Sequence, residues 1–145
     1  MEYFYGIQKK MFDKKNCEMP LDKFINHALY HPKKGYYMKN IPFGKDGDFI
    51  TAPNISKIFS EMICLWSISY WEKFYKDKKI NIVELGAGNG EMMLQFVISS
   101  KKFSNFYTKC NFFIYEKSKK LINLQKETFN QEVSKDKGLR VCNYS

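Results

Sequence analysis

Apolar positions follow two rhythms along this chain, and the changes of rhythm mark its elements. Leu21, Phe24, Ile25, Ala28 and Leu29 follow Pro20 at helical spacing, which predicts an amphipathic helix punctuated by His31-Pro32 and Gly35. Residues 1–19 are polar without a sustained period and read as a leader with room for a short helix. Over residues 35–53, Gly35, Pro42, Gly44, Gly47 and Pro53 interrupt aromatic and charged residues, so an ordered loop or short hairpin is expected. Pro53 suits the first turn of the next helix, and Asn54 or Ser56 could cap it. There Ile55, Ile58, Phe59, Met62, Ile63, Trp66 and Tyr70 form a second apolar stripe that ends near residues 74–79. Its methionine, Met62, and both tryptophans, Trp66 and Trp71, are expected in the core.

The rhythm then becomes that of a buried strand. Ile80-Asn81-Ile82-Val83-Glu84-Leu85 is a short β-branched run bounded by Gly86-Ala87-Gly88-Asn89-Gly90. Met92, Met93, Phe96 and Val97 resume helical spacing, so the glycines fall on a strand-to-helix turn. After a polar break over residues 101–109, Asn111-Phe112-Phe113-Ile114-Tyr115 predicts a second strand ending at Glu116. A helix over residues 118–133 and a third strand over residues 139–142 complete the reading. Strand, glycine turn, helix, strand and terminal acid compose a βαβ unit, which offers a nucleotide-type ligand site at the carboxyl ends of its strands. Glycine permits positive φ and removes the Cβ that would hold a ligand away. The helix beginning near Gly90 would turn free amides toward a phosphate or carboxylate. Glu116, at the second strand's tip, is placed to accept hydrogen bonds from a ribose diol. A dinucleotide fingerprint would carry its third glycine where Glu91 stands, and the Gly-Lys-Ser/Thr ending of a P-loop is absent.

Composition narrows the classes of function. With 145 residues, 44% apolar and 27% charged, the chain can bury one domain's core. The richest apolar stretch, residues 58–71, is broken by Glu61 and serines, so no membrane span is expected. Glu2 stands where a secretory signal carries bases, which points to a cytoplasmic chain. Cys17, Cys64, Cys110 and Cys142 lie far apart with only His27 and His31 to assist them, so reduced thiols are expected and no metal site or disulfide framework. The net charge of +9 rests on 24 basic residues of which only Arg140 is arginine, and the lysines occur as scattered doublets. That pattern suits a solvated surface better than nucleic-acid recognition, which exploits the arginine fork.

The segment Glu84-Leu85-Gly86-Ala87-Gly88-Asn89-Gly90 resembles the first motif of class I S-adenosylmethionine-dependent methyltransferases, acid-x-G-x-G-x-G. A wider resemblance, over residues 20–125, is to the MidA-like methyltransferase family. It is carried by Ala28-Leu29-Tyr30-His31-Pro32 with Gly35-Tyr36-Tyr37, by Pro42-Phe43-Gly44, by Gly47-Asp48-Phe49-Ile50-Thr51-Ala52-Pro53 with Ile55-Ser56, and by Glu116-Lys117-Ser118 with Leu121 and Gln125. The family includes the mitochondrial arginine methyltransferase of respiratory complex I assembly. The chain departs from the family pattern at Asn54, usually Glu, and at Ser60, usually Gly.

The resemblance implies a Rossmann-like α/β fold, S-adenosyl-L-methionine as cofactor and a protein arginine as acceptor, in a respiratory complex I subunit. Gly86, Ala87 and Gly88 would cradle the cofactor's methionine end beside Gly90, Glu84 would face its amino group, and Glu116 would hold its ribose. Asp48, Phe49 and Thr51 would help close the site. Residues 1–79 would form a helical and loop segment over the cofactor, and residues 80–145 the first part of a truncated cofactor-binding domain. The family's Asn-Glu-x-x-Asp-Ala-x-Pro segment is absent, and two or three strands stand where the class has about seven. The expectation is therefore the N-terminal piece of a split, frameshifted or truncated methyltransferase, with a complementing C-terminal fragment as possible partner. The rival readings are a non-catalytic remnant or binding subunit, an NAD-dependent oxidoreductase fragment and a nucleic-acid binder.

Overall fold

Residues 19–39, 41–43, 47–133 and 139–143 are described by the computed structural model of the chain. They divide after Asn40 into two units. The leader, Cys17 and Gly44 lie outside the described residues, as do residues 134–138 between the last helix and strand. No described helix is long and apolar enough to cross a membrane.

The first unit holds α1 (Leu21–Tyr30) and the single turn α2 (Tyr36–Lys39). Pro20 starts α1 without a side-chain cap, and the His31 amide closes it on His27 O at 3.2 Å. The chain then doubles back so tightly that a Cβ on Gly35 would lie 2.4 Å from His31 N. The rings of Tyr30 and Tyr37 stack at 5.6 Å across this bend.

The second unit begins at Ile41, so the loop and long helix that the sequence groups with the N-terminal segment share a unit with the strands. Its elements are α3 (Ala52–Ile55), α4 (Lys57–Phe74), β1 (Ile80–Leu85), α5 (Glu91–Ser100), α6 (Ser104–Tyr107), β2 (Cys110–Glu116), α7 (Lys119–Val133) and β3 (Leu139–Asn143). The expected helix after Pro53 is thus broken in two. Ser56 ends α3 by donating its amide to Ala52 O at 3.0 Å, and starts α4 by accepting from Ile58 N at 3.2 Å. Of the two cap candidates, Ser56 is the one that caps α4.

The three strands are parallel in the order β1-β2-β3. Ile82 lies beside Phe112 and Glu84 beside Ile114, while Phe113 lies beside Arg140. One face of the sheet joins the core. Phe112 and Ile114 pack with Met93, Phe96 and Val97 of α5, and Cys64, Ile68 and Trp71 of α4 extend the cluster. The other face shows Asn81, Val83 and Leu85, with Leu85 73% exposed.

Two expectations need correction. Trp71 is buried, but Trp66 and Met62 are 65% and 59% exposed. Helix α4 buries Ser60, Cys64, Ile68 and Trp71, and a residue two positions along lies about 200° round the axis. The stripe through Ile58, Met62, Trp66 and Tyr70 therefore faces away from α5. The break expected over residues 101–109 contains α6, whose Phe106 packs edge-on against Trp71 at 5.6 Å.

Candidate functional site

The turn joining β1 to α5 is built from three left-handed glycines, Gly86, Gly88 and Gly90, with φ of 66°, 59° and 83°. The Gly86 amide extends the sheet by donating to Tyr115 O at 2.8 Å, and the Gly90 amide closes the turn on Ala87 O at 2.9 Å. These conformations strain any residue with a Cβ by roughly 1–2 kcal/mol. Space matters as well. A Cβ on Gly90 would come within 2.8 Å of Phe129 Cζ, whereas one on Gly88 would press on the Phe43 ring at 3.2 Å.

Phe43 arrives from a loop in which Gly47 packs on Pro42 and the Phe49 amide donates to Pro42 O at 2.8 Å. The turn and this loop enclose a cleft of about 210 Å³. Its walls are Phe43, Thr51, Ala52, Pro53 and Phe59 on the loop and helix side, and Glu84, Gly86, Ala87, Gly88, Asn89 and Met92 on the strand side. Five of the sequence-predicted residues, Thr51, Glu84, Gly86, Ala87 and Gly88, therefore meet at one cleft. Asp48 and Phe49 sit exposed on the loop outside its lining, and Gly90 lies behind it against α7. Glu116 is also outside the lining, buried at the end of β2, and its Oε1 accepts from the Lys117 and Ser118 amides at 2.8 and 2.9 Å.

Glu84 carries the cleft's electrostatics. It accepts from the Met93 amide, while its Oε2 is buried without a hydrogen-bond partner among the described residues. Burial pushes its pKa from 4.5 up to about 7, against the opposing Met93 bond. The start of α5 therefore differs from the expected row of free amides. Glu91 N donates to Asn89 Oδ1 at 3.3 Å, Met93 N to Glu84, and Leu94 N to Gly90 O at 3.0 Å. A carboxylate already occupies the positive end of the helix dipole, which disfavours a phosphate there and suits a ligand bearing a cation. The three left-handed glycines and the orphaned Glu84 oxygen fit an amino-acid-bearing cofactor such as S-adenosyl-L-methionine.

Phe43, Phe59, Asn89 and Met92 were not singled out as site residues from sequence. Phe43 and Phe59 reach the turn only through the fold, across 45 residues between Phe43 and Gly88. Asn89 and Met92 flank the glycines, and adjacency to the motif was the signal that could have found them.

Residues 62–142 match the model of a family of S-adenosyl-L-methionine-dependent methyltransferases. Among curated proteins, the chain is 36% identical over 107 residues to the mitochondrial protein arginine methyltransferase NDUFAF7 of Xenopus laevis, covering 72% of this chain and 24% of that protein. It is 38% identical over 118 residues to the Danio rerio protein of the same name, covering 79% of this chain and 28% of that one. The chain thus spans about a quarter of the length of these relatives. Among solved structures, a COG1565 superfamily member from Burkholderia thailandensis bound to S-adenosyl-homocysteine superposes with a TM-score of 0.71 at 22% identity, over 86% of this chain and 32% of that one. At that identity the likeness is one of fold.

Proposed function

Because the chain belongs to the S-adenosyl-L-methionine-dependent methyltransferase family, we propose that its cleft holds that cofactor and that the chain is the cofactor-side portion of a protein arginine methyltransferase. The observation that carries this reading is Glu84, a carboxyl with a buried, unpartnered oxygen at the wall made by the glycine turn. An ammonium beside it would draw the carboxyl into its ionised form and supply the missing partner. Gly86, Ala87 and Gly88 let the backbone approach the methionine end, with Gly90 turning the chain into α5. Glu116 is the residue assigned to the ribose diol, its carboxylate held in place by two backbone amides. Thr51 lines the cleft, and Asp48 and Phe49, on the same loop, would close over the bound cofactor.

Bound there, the cofactor supplies a methyl group on a positively charged sulfur. Transfer then depends chiefly on alignment, with a base where the acceptor nitrogen must lose its proton. The acceptor side would come from the part of the relatives that this chain does not span. The sheet supports that division: β1 is an edge strand among the described residues, and the face carrying Val83 and Leu85 is open. All-parallel sheets are normally covered on both faces. A complementing segment of methyltransferase sequence is the partner that this face fits, and a respiratory complex I subunit is the substrate implied by resemblance. The four scattered cysteines suit a reducing compartment, and the cytoplasm is the one proposed. The curated relatives are named mitochondrial, so fractionation of cells expressing the tagged chain decides the point; recovery from mitochondria would overturn the cytoplasmic reading.

Isothermal titration of the 145-residue chain with S-adenosylhomocysteine tests the cofactor reading. Saturable one-site binding that Glu84→Ala weakens at least tenfold is expected. Absence of binding by a folded wild-type chain would overturn it.

A further inference from the structure

Gln125 is a polar residue with no exposed surface, in the middle of α7, and it contributes nothing to the cleft lining. Its neighbours at four-residue spacing, Leu121 and Phe129, are buried too, so a long amide occupies a place where the stripe calls for an apolar side chain. Burying such a group is unfavourable unless it is hydrogen-bonded. Its Nε2 donates to Gly88 O at 2.8 Å, across 37 residues of sequence, while its Oε1 is buried without a hydrogen-bond partner among the described residues, so the bond to Gly88 is what holds the amide there. The same side chain lies under Gly90, where a Cβ would meet Gln125 Cγ at 3.2 Å.

The consequence for the turn follows from peptide geometry. Every described peptide bond is trans, so the carbonyl of Gly88 and the N–H of Asn89 point in opposite directions. Holding the carbonyl toward α7 turns the Asn89 amide to the opposite side. No residue of α7 lines the cleft, whereas Gly88 and Asn89 both do. We propose that Gln125 is a positioning residue that fixes the Gly88–Asn89 peptide plane from behind, and thereby sets the backbone against which the cofactor's amino-acid end is bound. The inference rests on the cofactor reading and adds to it a residue outside the cleft. Gln125 touches no ligand and acts only through the turn.

The test replaces the donor while keeping the volume. Gln125→Met retains an unbranched side chain of similar length and leaves Gly88 O without its partner. Ile68→Val, a small truncation in the core on α4, nine residues beyond the cleft residue Phe59, serves as a variant that lowers stability without touching the clamp. Two measurements are made on the full chain: amide hydrogen exchange of residues 86–91 without ligand, and the Kd for S-adenosylhomocysteine well below each variant's Tm. In Gln125→Met, exchange at the turn should accelerate about tenfold beyond the change seen in β2, and the Kd should rise about tenfold. In Ile68→Val both readouts should stay within about twofold of wild type. Unchanged turn exchange in Gln125→Met, or a Kd equal to wild type, would overturn the inference while leaving the cofactor reading intact. A loss of affinity matched by Ile68→Val would also overturn it, by showing that global stability alone is at work. A wild-type chain that binds no S-adenosylhomocysteine would overturn the cofactor reading and the positioning role together.

Discussion

The two faces of the sheet are built from alternate residues of the same strands, yet they live in different surroundings. On one face Phe112 and Ile114 are almost fully buried against α5, and Ile80 and Ile82 pack beside them. On the other, Val83 is 49% and Leu85 73% exposed, and Arg140 lies over the Phe113 ring at 5.8 Å. The strands are apolar on both sides, as strands of a parallel sheet are when both faces are covered. The difference teaches that side-chain chemistry was set for two layers of cover, of which the described residues supply one. Stability and association separate along the same line. The covered face holds the unit together, and the open face is available to whatever completes it.

Substitutions can break or sharpen this contrast. The largest effect is expected at Ile114→Ala, which empties a fully buried position and should destabilise the chain by about 3 kcal/mol, measured by urea denaturation. Next comes Glu84→Gln, on the covered side of β1. The folded-state pKa of about 7 lies above the unfolded 4.5, so the native chain holds the extra proton between these values. The contribution of Glu84 to stability is therefore fullest below pH 4.5 and is lost as pH rises to about 7. Glu84→Gln should be more stable than wild type by about 2 kcal/mol at pH 8, with the gap closing toward pH 4. A gap that widens toward acid would reverse the assignment. A smaller gain is expected from Ser60→Ala on the inner face of α4. The Ser60 hydroxyl is buried with no hydrogen-bond partner among the described residues, and removing it should raise stability by up to about 1 kcal/mol. The smallest effect belongs to the open face: Leu85→Ser should shift stability by less than about 0.5 kcal/mol in this chain. The same change should weaken association with an added C-terminal methyltransferase segment, read by co-purification, and an unaffected association would remove the open face from that role.

What was legible in the sequence depended on how local its cause was. The strand at Ile80–Leu85 announced itself because a β-branched run met a glycine cluster, and the structure places it over those residues. The glycine turn was equally legible, since positive φ at Gly86, Gly88 and Gly90 is a local demand. Helix α6 was not, because a single turn is too short to show a period. Met62 and Trp66 were misplaced for a different reason. Apolar residues occupy most of the circumference of α4, so the pattern could not say which stripe would meet α5. Within the site, Glu84 and the glycines were legible as a motif, while Phe43 was not, because its seat on Gly88 exists only after the loop and turn have met. Gln125 lay between the two, since its place between Leu121 and Phe129 was visible but its bond to Gly88 was not.

The double duty of Ser56 bears on how a ligand is seated. One residue both terminates α3 and starts α4, so the cleft wall carried by Ala52 and Pro53 is joined to the core helix through a single articulated position. The inner residues of α4, Ser60, Cys64, Ile68 and Trp71, are buried. Moving α3 relative to α4 would give up the bonds that Ser56 makes at Ala52 O and Ile58 N. The fit of a bound molecule against Ala52 and Pro53 would then depend on Ser56 even though Ser56 itself lies outside the cleft lining.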